Sequence, residues 1–144
     1  MPDPGDPLDQ LVRQIIAKWL SLTATTFTGI GGLYRTQAPS GRTSHPYAIL
    51  RDAGGGADLV NTTCESEVYE ALMEFRAYDK QPELASVHAA KIDGVFSSKS
   101  LSLTPNGVTV VGVRLVRPAY QQSDEGVWFA GLTYRFQFSR ARIA

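Results

Sequence analysis

Val127-Trp128-Phe129-Ala130-Gly131-Leu132-Thr133-Tyr134-Arg135-Phe136-Gln137-Phe138-Ser139 decides the fold. Trp128, Ala130, Leu132, Tyr134, Phe136 and Phe138 alternate with Phe129, Gly131, Thr133, Arg135 and Gln137. A period of two with one face almost wholly apolar or aromatic is a β-strand lying on a core. At ~3.4 Å per residue such a strand runs about 40 Å. Upstream, after an Asn106-Gly107 turn, Val108 to Arg117 is dense in β-branched residues and poor in helix formers, which predicts a second strand. The polar stretch Tyr120 to Gly126 reads as the connection of a long antiparallel hairpin.

That hairpin needs partners. Glu65 to Tyr78 admits two readings. By propensity, Glu65-Ser-Glu-Val-Tyr-Glu-Ala-Leu-Met-Glu-Phe-Arg76 is helical. By alternation, Tyr69, Ala71, Met73, Phe75 and Ala77 share one face, with Glu70, Glu74 and Arg76 on a solvated opposite face. The strand reading is adopted, because the glycine turn before it and the need to pair the preceding strand favour it. That preceding strand is Pro46-Tyr47-Ala48-Ile49-Leu50-Arg51, with the proline at its start, where no ladder donor is needed. Ala53-Gly54-Gly55-Gly56-Ala57-Asp58 reads as its turn, and Leu59 to Cys64 as the return.

Two helices complete the pattern. Asp6 suits an N-cap, Pro7 the first turn, and Asp9 the positive end of the dipole. Leu8, Leu11, Val12, Ile15, Ile16, Trp19 and Leu20 then form one stripe, opposite Arg13, Gln14 and Lys18. The threonine-rich run Ser21 to Thr28 ends the helix. A second helix begins at Asp79-Lys80-Gln81-Pro82-Glu83. Its inward stripe is Leu84, Val87, His88 and Lys91-Ile92, and Gly94 threatens its end. A short strand, Ser100 to Thr104, leads into the hairpin. The fold expected is α+β: a mostly antiparallel β-sheet with two amphipathic helices packed on one face. At 144 residues the chain reads as one domain, with residues 1–6 a flexible lead-in.

Composition narrows the function. Lysine plus arginine equals aspartate plus glutamate at fourteen each, so no bulk charge points to nucleic acid or an anionic membrane. No apolar run approaches the ~20 residues of a membrane span. The acidic, proline-rich start does not read as a signal peptide. Cys64 stands alone, which fits a reducing compartment. Gly29-Ile30-Gly31-Gly32 lacks the lysine and the apolar strand of a phosphate loop. His45 and His88 lack ligand spacing with each other or with Cys64, so no metal or cofactor is expected. No catalytic set is evident. Arg114, Arg117, Arg135, Arg140 and Arg142 crowd the C-terminal hairpin and suit an acidic protein surface better than DNA.

The order of elements resembles the tail terminator (tail completion) proteins of long-tailed bacteriophages and phage-like particles. The pieces that carry the resemblance are the amphipathic first helix, Leu33-Tyr34-Arg35 before a proline-containing loop, and Pro46-Tyr47-Ala48-Ile49-Leu50. The alternating Glu67 to Tyr78 strand, the Asp79 to Gly94 helix, Val113-Arg114-Leu115 and Tyr134-Arg135-Phe136-Gln137-Phe138 continue it. Such proteins form a hexameric ring on the end of the tail tube, stop its polymerisation and offer the surface that joins the head. The resemblance therefore implies a virion protein at the neck, assembled in the host cytoplasm. Its partners would be itself, the tail tube protein and the head–tail connector or stopper protein, and neither membrane nor nucleic acid. Polar loops are the expected contacts: Gln37, Ser40 and Arg42 in the first, Asp58 and Asn61 in the second, Gln121, Asp124 and Glu125 in the third, with Arg140 at the hairpin's end. No residue-level motif carries these contacts over. The alternatives are a head-side adaptor or stopper, and a small α+β ligand-binding domain or enzyme with a pocket between helices and sheet.

Overall fold

The computed structural model describes residues 6–36, 46–62, 65–97, 108–124 and 126–141. The loop from Gln37 to His45, Cys64, the strand expected at Ser100 to Thr104 and the Asn106-Gly107 turn lie outside the described residues. In chain order the elements are α1 (Pro7–Ser21), β1 (Leu33–Arg35), β2 (Tyr47–Thr62), β3 (Ser66–Asp79), α2 (Pro82–Phe96), β4 (Thr109–Asp124) and β5 (Val127–Ala141). The described strands form a five-stranded sheet in the order β1-β2-β3-β5-β4. Only the β1–β2 pairing is parallel. Both helices cover the same face, so the α+β architecture read from the sequence is the one observed.

The alternation in β3 outweighs its helical propensity because β3 is flanked on both sides. Its ladder with β5 runs unbroken from Ser66↔Ala141 to Asp79↔Trp128, and Tyr69, Ala71, Met73, Phe75 and Ala77 are all buried. On β5, Ala130, Leu132, Tyr134, Phe136 and Phe138 face the same core. Central pairing of this kind satisfies every backbone group while burying one face, and local propensity cannot compete with it.

Two expected turns are strand instead. The Ala53–Asp58 segment does not reverse the chain: Asp52 pairs with Met73 and Ala57 with Ala71. The residues between them bulge outward opposite Leu72, with Gly55 at φ +79° and Gly56 at φ +118°. Those left-handed angles are open to glycine at no steric cost. The polar stretch from Tyr120 is likewise strand as far as Asp124, which pairs with Val127; Gly126, at φ +85°, takes the turn. An edge strand tolerates polar residues because one of its sides faces solvent.

The helices start as expected and sit rotated from the expected stripes. The Asp6 carboxylate accepts from the Leu8 amide at 3.0 Å, so Asp6 is a cap and not part of a loose lead-in. Leu11, Val12, Ile15 and Trp19 are buried, while Leu20 is 63% exposed. Gln14, expected outside, is buried, with its side-chain amide against the Val108 backbone, where one orientation lets it exchange hydrogen bonds with the Val108 carbonyl and amide. Beyond the helix, Phe27 stacks on Trp19 with ring centroids 3.8 Å apart. In α2 the inward residues are Ala85, His88, Ala89, Ile92 and Phe96, whereas Leu84 and Val87 are exposed. The helix passes through Gly94 without a break. At its start, His88 Nε2 lies 3.0 Å from Asp79 Oδ2, while Asp79 Oδ1 accepts from the Gln81 amide at 3.1 Å.

At the far end of α2 the Tyr134 hydroxyl donates to Asp93 at 2.6 Å. Burial, reinforced by that carboxylate, pushes the Tyr134 phenol far above its ordinary value. Because the folded state holds this proton more tightly than the unfolded one, its contribution is full below the phenol's ordinary pKa of about 10 and is lost as pH rises beyond it. Tyr134→Phe is therefore expected to cost about 1.5–3 kcal/mol at neutral pH and to flatten the fall in stability above pH ~10. Denaturant midpoints measured from neutral to alkaline pH check both.

Candidate functional site

Among the described residues both helices lie on one face of the sheet and none covers the other, which carries the Glu74, Arg51 and Arg76 cluster and the Arg114 and Arg135 pair. At one end of this open face, an aromatic row crosses the whole sheet. Tyr34 of β1, Tyr47 of β2, Tyr78 of β3, Phe129 of β5 and Tyr120 of β4 follow one another with successive ring centroids 6.2, 4.8, 5.2 and 5.9 Å apart. The guanidinium of Arg76 lies 4.5 Å from the Phe129 ring and that of Arg117 lies 3.9 Å from Tyr120. Both are cation–π distances.

Beside the row, Glu74 is the centre of a polar knot. It accepts from the Tyr120 hydroxyl at 2.7 Å and from Arg76 Nε at 2.7 Å, and Arg51 stands 3.7 Å away. Glu74 is 6% exposed, so the solvated glutamate expected from the alternation is a buried, fully engaged one. Burial, together with the neighbouring Glu74 carboxylate, holds the Tyr120 phenol above its ordinary range. The Tyr120 ring can reach Glu74 because it lies flat over Gly131; a Cβ there would sit 2.6 Å from Tyr120 Cε1. Gly131→Ala is expected to cost about 1–3 kcal/mol by overpacking. The cost should shrink when Tyr120→Ala is already present, and a double-mutant cycle in denaturant measures the coupling.

Further along the open face like charges stand opposite each other across the strands, while both signs share its clefts. Asp58 and Glu70 are direct cross-strand partners, and so are Arg114 and Arg135. Like charges set opposite each other repel, and among the described residues none of these four is in an ion pair. Two open clefts follow them. One, of about 100 Å³, is lined by Gly54, Gly56, Asp58, Glu70 and Arg135. The other, of about 280 Å³, is lined by Glu70, Gly112, Arg114, Arg135 and Gln137. Among the described residues that line them there is no histidine, serine, threonine or cysteine, and the charged side chains are carboxylates and guanidinium groups. Among the described residues no group of three metal-ligating side chains converges, and no helix is long and apolar enough to cross a membrane.

Matched against solved structures, the chain superposes on a protein of the virion of a native gene transfer agent particle, with a TM-score of 0.56 and 18% identity. The match covers 94% of this chain and 96% of that one. The fold is shared with a virion protein. No protein-family model and no curated protein matches the sequence.

Of the residues expected to make contacts, Asp58 and Asn61 are exposed on β2 rather than in a loop. Gln121 lies on β4, donating to the Pro82 carbonyl and the Ser86 hydroxyl at 2.6 Å each, and so ties β4 to α2. Arg140 links α1 to the sheet through Gln10 (3.0 Å), Glu67 (3.3 Å) and the Tyr69 hydroxyl (3.3 Å); its side chain is 9% exposed. Asp124 closes β4. Gln37, Ser40, Arg42 and Glu125 lie outside the described residues. Of the arginine crowd, Arg114, Arg117 and Arg135 do share the open face, whereas Arg140 turns to the helix side and Arg142 is not described. The sequence reading missed the Glu74–Tyr120 knot and the exposed apolar residues of the sheet edges: Leu59 and Val60 on β2, and Val111, Leu115 and Val116 on β4. An isolated glycine in a long strand was the one available sign of the knot, since it marks a close approach.

Proposed function

We propose that this chain is a structural virion protein that caps the end of a tail tube as a ring, stops the tube's polymerisation and provides the joint to the head. The observation that carries the reading is the superposition, over nearly the full length of both chains, on a protein of a gene transfer agent virion. The chemistry of the open face supports it: paired charges, stacked arginines and shallow clefts suit contact with other proteins better than turnover of a substrate. A tube built from identical rings presents the same surface after each addition. It stops only when a subunit binds that surface and presents a different one, which requires unlike surfaces on one chain. The partners in this reading are further copies of the chain, the tail tube protein, and the head–tail connector or stopper. Imaging of the assembled particle with this chain labelled is the test. Label at the junction of tube and head, as one closed ring, is the expected result; label on the head side of that junction would move the chain to an adaptor or stopper role.

A further inference from the structure

We infer that copies of this chain join head to tail through the two edges that the described strands leave to the sheet, the distal half of β2 on one copy meeting β4 on the next. The inference rests on the ring reading above and specifies the surfaces that close it.

Three observations converge on it. Each edge exposes apolar side chains: Leu59 (55%) and Val60 (48%) on β2, Val111 (55%), Leu115 (42%) and Val116 (45%) on β4. The edges are unlike in charge, with Asp58 next to Glu70 near β2 and Arg114 next to Arg135 near β4. Glu70 and Arg135, on the inner strands, line the same clefts and partly offset each other, whereas Asp58 and Arg114, out on the edges, each gain from an oppositely charged neighbour.

The third observation is one of level. Leu59 pairs with Tyr69, Tyr69 with Phe138 and Phe138 with Val110, so Leu59 and Val110 end the same row across the sheet. The next row joins Asp58, Glu70, Gln137 and Gly112 in the same way. Val111 and Val60 therefore sit at nearly the same height on opposite edges, while Arg114, whose partner Arg135 pairs with Leu72, lies two rows beyond Asp58, a gap its long side chain can span. A closed ring allows rotation between neighbours but no net climb along its axis. Patches at equal height on opposite edges meet that condition, whereas staggered patches would build an open helix. The contact is made by side chains and not by a continued ladder, because β4 shifts register after Val110, Leu115 and Arg117 and carries Pro118, all devices that spoil an edge for further pairing.

The test uses the full chain in a Cys64→Ser background, added to isolated tail tubes under mild oxidation. Val60→Cys with Val111→Cys in one chain is expected to give a ladder of cross-linked oligomers that stops at the ring. A mixture of the two single variants should give dimers only, and each single variant alone should give none. In a second arm, Asp58→Arg and Arg114→Glu each weaken ring formation by about tenfold, and the two together restore most of it. A single variant that cross-links by itself would show a symmetric contact and overturn the inference. Rings on tube ends without a ladder and without charge dependence would also overturn it, while leaving the ring reading in place. Absence of rings from tube ends even with the unmodified chain would sink the ring reading, and the inference with it.

Discussion

Phe75→Asp is expected to leave no folded protein. Phe75 is fully buried on β3, stacked 4.8 Å from Phe96 of α2 and edge-on 5.9 Å from Tyr134 of β5. It therefore joins the second helix to both central strands. Losing the ring costs about 3–5 kcal/mol, and a carboxylate left unpaired among aromatic rings adds several more. Together these approach the ~5–15 kcal/mol that holds a whole domain. Its neighbour makes the more instructive variant. A glutamate on a solvated strand face would accept Glu74→Lys with little loss. The buried Glu74 instead faces Arg51 and Arg76 and receives the Tyr120 hydroxyl, so a lysine there meets two cations and leaves the phenol without its acceptor. Breaking a buried charge pair costs about 3–5 kcal/mol. Glu74→Gln, which keeps the shape and one acceptor oxygen, should cost clearly less. Circular dichroism and urea midpoints separate the three: Phe75→Asp unfolded, Glu74→Lys strongly destabilised, Glu74→Gln intermediate. A Glu74→Lys protein as stable as the parent would contradict the knot.

How far the sequence could be read depends on which physical signal each element carries. The period-two faces of β3 and β5 were legible because burial on one side imposes them residue by residue. The glycine segment was not, since consecutive glycines permit a reversal and a bulge equally, and only the pairing of Asp52 and Ala57 with β3 separates the two. The stripe of α2 was misplaced for a reason of size. Ala85 and Ala89 face inward against the large aromatic residues of β3 and β5, while the more apolar Leu84 and Val87 stay outside; hydropathy ranks them the other way round. Alternation assigned Glu74 to the correct face but could not say what lies on that face. Its partner Tyr120 comes from 46 residues further along the chain and reaches it only by crossing Gly131. The exposed apolar residues Leu59, Val60, Val111, Leu115 and Val116 went unread for a related reason: a sequence does not announce which strands are edges.

If the role proposed above holds, removing this chain is expected to have the largest effect of all: loss of essentially every functional particle. The manner of failure identifies the role. A growing tube offers each incoming ring the same surface, so elongation has no internal reason to stop. Without a terminating ring, tubes should lengthen beyond their normal limit and should lack the surface that heads recognise. Electron micrographs should then show filled heads without tails beside tails of broad, uncontrolled length. Heads alone beside tails of normal, uniform length would assign the chain to the head side of the joint. Fully active particles in its absence would defeat both assembly roles and return attention to the open clefts around Glu70 and Arg135. The Asp58→Arg and Arg114→Glu chains provide an internal scale for the same experiment. If ring closure is what stops the tube, each should reproduce part of the long-tail defect, and the pair together should shorten the tails again.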